Sequence, residues 1–410
     1  MINLTYQYKI KPTKKQREQI ENTLDVCRSV YNYALREWKN WYQSRKSSVD
    51  RCSLVSEYIM PANYPYPSYN NQSASLTKAK QENSRLKSVH SQVLQQTLKI
   101  LDKAVNDMKS RGFGFPRFKK RMKSFVFPSM LTNCLATGKI KLPQLGWVRI
   151  RQSRDFPTGF TPKQAHIVKK ASGYFLMVVF QSSEECPDIP VGKKSLGIDA
   201  GIESFVATSN GDLIKAPKFL LALQGKLKSL QRRLKNKNKG SNNWLKLQKK
   251  IGRLHEKIAN TRKDWHFKLA HFLCDKTDNI FVEDINFVSW SRGIVRKQSL
   301  DSGIGQFINE ILPFVCWKRG KFYLKVNKNN TSQECPECNS HTGKKKLSER
   351  VHKCPKCGYQ ENRDTCAAKV IKNRGKNAVG QPVFYKNACG DVLTGEVVQL
   401  NLFDLLVKCQ

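Results

Sequence analysis

CPECNSHTGKKKLSERVHKCPKCGYQENRD, residues 335–364, opens on Cys335-Pro-Glu-Cys338, returns to Cys354-Pro-Lys-Cys357, and ends on Asp364. Fifteen residues separate the two Cys-x-x-Cys pairs. Each pair presents two thiolates to one ion, and a hairpin of that length brings the second pair round to complete a tetrahedron. Cys335, Cys338, Cys354 and Cys357 are therefore expected to hold a structural Zn²⁺ in a zinc ribbon over 331–361. Chance burial or disulfide pairing would not explain two such pairs with Pro and Gly in the turns. The ribbon stops just ahead of a carboxylate, in Asn362-Arg363-Asp364-Thr365-Cys366-Ala367-Ala368. Partners for that acid must come from upstream.

The chain has 410 residues and 73 Lys+Arg against 32 Asp+Glu, a formal net charge of +41. Such an imbalance, spread along the whole length, points to a polyanion partner, nucleic acid. No apolar run is long enough to cross a bilayer, so no membrane partner is expected. The first residues, MINLTYQYKIKP, alternate as a strand does and lack the apolar core of a signal peptide. Thirteen cysteines, an odd number, suit a reducing interior and one metal site better than a disulfide framework. Cys27, Cys274 and Cys316 fall within apolar patterns and are expected in the core.

In chain order, Ile2–Ile10 alternates and predicts a strand. Thr13 and Gln16 form a capping box for a helix carrying Ile20, Leu24, Cys27, Val30, Leu35 and Trp38. A loop over Pro61–Gln72 separates it from further helix through Val89–Met108. Arg111–Phe127, RGFGFPRFKKRMKSFVF, interleaves rings with cations, a composition that stacks on bases and meets phosphates. Arg117, Lys119, Lys120 and Arg121 are its candidate contacts. Strands follow at Leu135–Leu142, Trp147–Ile150, Gln164–Lys170 and Tyr174–Gln181. With Ile2–Ile10 they predict a small β-barrel over 1–12 and 111–190, interrupted by an α-helical insertion at 13–110. Residues 191–330 and 362–376 form an α/β domain, with a helical hairpin at about 219–277 broken at Asn236–Asn243. That hairpin carries dense Lys and Arg, Arg232 and Arg233 among them, on its outer face. Residues 377–410 read as a poorly ordered tail.

Asp199 stands at the end of a buried strand, Ser195–Gly201, that closes in Asp-x-Gly; Glu283 ends the strand from Asn279, and Asp364 opens a helix. In an RNase H-like sheet such positions converge at one edge and can hold two Mg²⁺ ions about 4 Å apart. Each acid alone could be a strand-end residue or a cap; the three together, beside a zinc ribbon on a basic chain, point to phosphodiester hydrolysis. No Gly-x4-Gly-Lys-Ser/Thr loop, His-Glu-x-x-His or Gly-x-Ser-x-Gly competes with them. His266 and His271 are read as packing residues, not ligands.

With these residues placed, the sequence resembles the TnpB (OrfB-type) insertion-sequence proteins, compact relatives of type V CRISPR effectors. The resemblance runs through Cys27-Arg28-Ser29-Val30-Tyr31-Asn32, Phe115-Pro116-Arg117-Phe118-Lys119 and Lys141-Leu142-Pro143. It continues in Gly197-Ile198-Asp199-Ala200-Gly201, Val282-Glu283-Asp284-Ile285-Asn286, Thr331-Ser332-Gln333 and Arg363-Asp364. It implies a RuvC-like, Mg²⁺-dependent DNA endonuclease, guided by a noncoding RNA and cutting double-stranded DNA beside a short adjacent motif. The barrel would be a wedge, the helical insertion a recognition lobe, and the whole a monomeric ribonucleoprotein of the prokaryotic cytoplasm. Two other readings stand beside it: an RNase H-like transposase or resolvase, and a guided DNA-binding protein that does not cut. Cys366 departs from the Asn usual at its position, and Asn362 from the usual His or Asp.

Overall fold

Alternation along Ile2–Lys11 builds β1, and the reciprocal bonds of the Thr13–Gln16 capping box start helix α1, Lys14–Lys46. In this computed structural model the chain divides into two units, Met1–Cys186 and Pro187–Gln410. The structure describes residues 2–46, 64–130, 133–183, 188–290, 293, 296–346, 348–380, 384–386 and 392–394.

The first unit adds helices α2 (Tyr69–Glu82), α3 (Ser84–Lys87) and α4 (Ser91–Arg111). The loop expected over Pro61–Gln72 is shorter where described: the Ser68 hydroxyl accepts from the Asn71 N–H and caps α2, so helix begins at Tyr69. Then come β2 (Ser124–Phe127), β3 (Leu135–Ala136), β4 (Lys139–Leu142), β5 (Gly146–Arg151), β6 (Thr161–Lys170) and β7 (Gly173–Ser182). The single strand expected at Leu135–Leu142 is thus a hairpin, turned at Gly138 with φ +69°.

The expected β-barrel is not formed. The seven strands make one open sheet in the order β2-β6-β7-β1-β5-β4-β3, whose ends are not paired with each other. The reason lies in the helices. Ile20, Leu24, Leu35 and Trp38 of α1 and Val93, Leu98, Leu101 and Val105 of α4 share one core with Tyr8, Phe125, Phe127, Val148 and Phe180 of the sheet. The apolar face is covered by a helical layer, so the sheet need not curl onto itself to bury it. The two end strands, of four and two residues, are also too short to close a ladder.

The second unit holds β8 (Ser195–Asp199), β9 (Val206–Thr208), β10 (Leu213–Ile214), β11 (Asn279–Glu283) and β12 (Phe322–Val326), in the order β10-β9-β8-β11-β12. β8, β11 and β12 run parallel and β9 and β10 antiparallel, a mixed RNase H-like sheet. Helices α5 (Leu221–Lys235) and α6 (Asn242–Lys276) form the expected hairpin, with Ser241 capping the second. Short helices α7 (Phe287–Trp290), α8 (Arg296–Ser302) and α9 (Ile304–Gln306) follow. A π-turn at Phe307–Ile311 then runs into α10, Leu312–Lys318. Pro313 lacks an N–H and its ring crowds the carbonyl a turn back, which the widened turn relieves. The ribbon strands β13 (Val351–Lys353) and β14 (Gln360–Asn362) pair antiparallel, and β14 leads without a spacer into α11, Arg363–Ala378. Of the tail expected over 377–410, the first residues close α11 and the strands Phe384–Lys386 and Val392–Thr394 pair antiparallel; the rest of that expectation lies outside the described residues. No helix of the described residues is long and apolar enough to cross a membrane.

Candidate functional site

β8 and β11 are parallel neighbours whose last paired residues are Ile198 and Val282. Asp199 and Glu283 each follow at once, so both acids emerge side by side at the carboxyl edge of the sheet, where α/β folds place ligands. Asp364 arrives from α11, which packs across β8 and β11. Two glycines permit that approach. A Cβ on Gly197 would lie 2.0 Å from the Ala368 carbonyl oxygen, and one on Gly375 2.1 Å from the Phe281 ring. Asn362 caps α11 by accepting from the N–H groups of Asp364 (2.9 Å) and Thr365 (3.4 Å). The residue that departs from the family pattern therefore performs a helix-start role.

Asp199, Glu283 and Asp364 line one cavity of about 880 Å³, together with Lys328, Thr331, Arg350 and Arg363. Burial, reinforced by the charges of Glu283 and Asp364, pushes the Asp199 carboxyl up to about 8 against the pull of Arg363 and of the Ala200 N–H. Burial also raises Glu283, opposed by the Thr331 hydroxyl and the cations of Arg374 and Lys328. Thr331 donates to one Glu283 oxygen. Arg350 pairs with Glu203 on the cavity wall, and Arg363 donates to the Lys346 carbonyl at 3.0 Å. Carboxylate oxygens converging with this mutual repulsion suit a hard cation such as Mg²⁺. They do not form a closed ligand cage, since among the described residues only the four cysteines gather ligand atoms within 4.8 Å of one another.

Those four are Cys335, Cys338, Cys354 and Cys357, with Sγ–Sγ distances of 3.6 Å for 335–357 and 3.6 Å for 338–354. A tetrahedron with Zn–S bonds of about 2.3 Å has edges of about 3.8 Å, and these two edges come close to that value. Burial pushes the Cys354 thiol up, but hydrogen bonds from Ser340 and from the N–H groups of Cys357 and Lys356 outweigh it and bring it down to about 6, toward the thiolate that binds metal. The ribbon is bolted to α11: Arg374 pairs with Glu334 at 2.6 Å, and the Asn373 amide donates to the Pro336 carbonyl at 2.9 Å. Cys366 is buried with its sulfur 3.9 Å from the Glu334 carbonyl and does not line the cavity.

The candidate cations Arg117, Lys119, Lys120, Arg121, Arg232 and Arg233 are all exposed and are not among the residues that line this cavity. His266 is a packing residue: it stacks on Phe205 (5.4 Å, 17°) with Nε2 2.9 Å from the Ser302 carbonyl. Cys27, Cys274 and Cys316 are fully buried, as expected of core residues. Thr331, Lys328 and Arg350 were not assigned to the site from sequence. Thr331-Ser332-Gln333 stood out only as a motif ahead of the ribbon, and nothing local reveals that it folds back onto Glu283.

Three family models match the chain: a probable transposase model of the OrfB type over residues 179–291, a helix-turn-helix model over 1–47, and the TNB domain of Cas12f1-like proteins over 306–371. Residues 2–46 are nevertheless a strand and one continuous helix, with no helix-turn-helix. The putative RNA-guided DNA endonuclease InsQ of Escherichia coli K12 is 28% identical over 407 residues, covering 95% of this chain and 94% of that protein. A putative RNA-guided DNA endonuclease of Streptomyces pristinaespiralis is 26% identical, covering 95% and 92%. The CRISPR-associated endodeoxyribonuclease Cas12f1 of Sulfoacidibacillus thermotolerans is 24% identical over 30% of this chain and 29% of its own. A solved Cas12f1–sgRNA–target DNA complex shares the fold, with TM-score 0.50 and 15% identity over 88% of this chain and 84% of that one. The relatives that span almost the whole chain, and family models that fall on the acids and the ribbon alike, agree: the chain is similar along nearly its full length to the TnpB (OrfB-type) proteins, and in part to Cas12f1.

Proposed function

We propose that this protein is an RNA-guided DNA endonuclease that hydrolyses both strands of target DNA at the cavity formed by Asp199, Glu283 and Asp364. The observation that carries the reading is that three acids from three separate elements line one cavity whose other walls bring Lys328, Arg350 and Arg363. Buried like charges this costly mark chemistry more often than structure. The three carboxylates hold Mg²⁺. Bound there, the ions supply the charge that makes water a nucleophile and stabilises the leaving oxygen. Thr331 fixes one oxygen of Glu283, which lines the cavity. Arg363 and Lys328 draw the phosphodiester toward the acids, and Cys335, Cys338, Cys354 and Cys357 hold a structural Zn²⁺.

The partners are a noncoding guide RNA and double-stranded DNA carrying a short adjacent motif, consistent with the names of the full-length relatives. Arg117, Lys119, Lys120, Arg121, Arg232 and Arg233 contact phosphates, and the protein works as a monomeric ribonucleoprotein in the prokaryotic cytoplasm. The test is to express the gene with its flanking DNA, purify the protein, sequence the bound RNA and assay cleavage of a matching duplex with Mg²⁺. Asp199→Ala, Glu283→Ala and Asp364→Ala should each lower cutting roughly a thousandfold while RNA still copurifies. Full cutting by Asp199→Ala would sink the assignment. Cutting that ignores the bound RNA would instead mark a resolvase or transposase.

A further inference from the structure

Within the first unit, rings and cations meet at one groove. Its volume is about 440 Å³ and its lining is Arg28, Ser29, Asn32, Tyr33, Arg36 and Phe118, a size within the usual range of small-ligand sites, about 300–1,000 Å³. Both rings stand in solvent, Tyr33 at 76% exposure and Phe118 at 46%, whereas Phe125 and Phe127 of the same basic stretch are at 3%. The stretch therefore sorts its phenylalanines, sending the last two into the core and holding Phe118 outside it. That position is built. The Asn32 amide grips the Lys119 backbone from both sides, donating to its carbonyl at 2.9 Å and accepting its N–H at 2.8 Å. The Lys119 ammonium sits 5.2 Å over the Tyr31 ring.

The charges are unbalanced in the same place. Arg28 bonds Asp25 at 2.7 and 3.0 Å, but Asp25 also takes Arg85, so one acid serves two guanidiniums. Arg36 has no ion-pair partner among the described residues, and there Tyr33 and Phe118 stack on no other ring. A groove for a duplex backbone needs cations but gains nothing from exposed rings. A groove for an unpaired nucleotide needs both.

We propose that this groove binds a single unpaired nucleotide, its base stacked on Tyr33 and Phe118 and its phosphate held by Arg36 and Arg28. The proposal rests on the chain's handling nucleic acid, not on its cutting it. The test uses the full-length protein in EDTA with short single-stranded oligonucleotides carrying one 2-aminopurine, as DNA and as RNA, and a duplex control. Stacking should quench the probe in the single strand and not in the duplex, and the arm that is quenched, DNA or RNA, identifies the source of the nucleotide. Tyr33→Ala and Phe118→Ala should each weaken binding about tenfold, with Tyr33→Phe and Phe118→Trp restoring it because only a ring is needed. Arg36→Ala should lower the salt slope by about one. Alanine variants that bind and quench like the parent, or a duplex that quenches equally, overturn the proposal. A chain that quenches in this assay yet never cuts defeats the nuclease reading and leaves this one standing.

Discussion

A carboxyl held at about 8 has a thermodynamic signature. Asp199 binds its proton more tightly folded than unfolded, so between about pH 4 and 8 the native state carries the extra proton. Stability from this group is present at the low end of that window and is lost as pH rises through 8. Asp199→Asn removes the ionisation, so in EDTA the variant should melt above the parent at pH 8, on the order of 2–4 °C, with the gain fading by pH 5. An equal difference at both pH values, read by thermal unfolding, would show that ionisation of the buried Asp199 carboxyl is not its origin. That the three acids gather at one cavity was legible because each sits at the end of a recognisable strand or the start of a helix. Thr331 was not, because its bond to Glu283 spans 48 positions of chain and no periodicity records such a pairing.

At the scale of elements, the close approach of α11 is set by Gly197. Gly197→Ala puts a methyl 2.0 Å from the Ala368 carbonyl, and should cost about 2–4 kcal/mol in urea unfolding while also moving Asp364 and lowering cutting. Gly225→Ala is the contrast. Gly225 is exposed in α5 with nothing within 4 Å of its would-be Cβ, so the same substitution there should stabilise by about 0.5–1 kcal/mol. Local signals located the elements well: the α5–α6 hairpin, the capping box and the parallel strands all declare themselves through spacing and end residues. How strands combine was less visible. The alternation in β1, β6 and β7 is the same whether a sheet closes on itself or lies open under α1 and α4, and only the helices' apolar stripes decide between them. They are inserted in sequence between β1 and β2, and in space they also supply the second layer of that core.

For the whole molecule, a net charge of +41 makes association with nucleic acid steeply ionic. With 6–10 phosphates engaged, affinity should fall about 10³–10⁵-fold between 50 and 200 mM salt, and a flat salt profile in a filter-binding titration would show that the charge is not used this way. Stripping the Zn²⁺ proposed at the four cysteines with a thiol-selective chelator should abolish cutting even after Mg²⁺ is restored, because Arg374 and Asn373 tie α11 to the ribbon. Readdition of Zn²⁺ should recover it. The seam between β14 and α11 also fixes where this molecule tolerates lengthening. One residue inserted between Asn362 and Arg363 would turn the start of α11 by about 100° and swing Asp364 off the sheet edge. An insertion at Gly343, whose would-be Cβ meets nothing within 4 Å, would leave the acid where it is. Length variation among functional descendants of this chain is thus channelled into the fingertip of the ribbon and barred from its base.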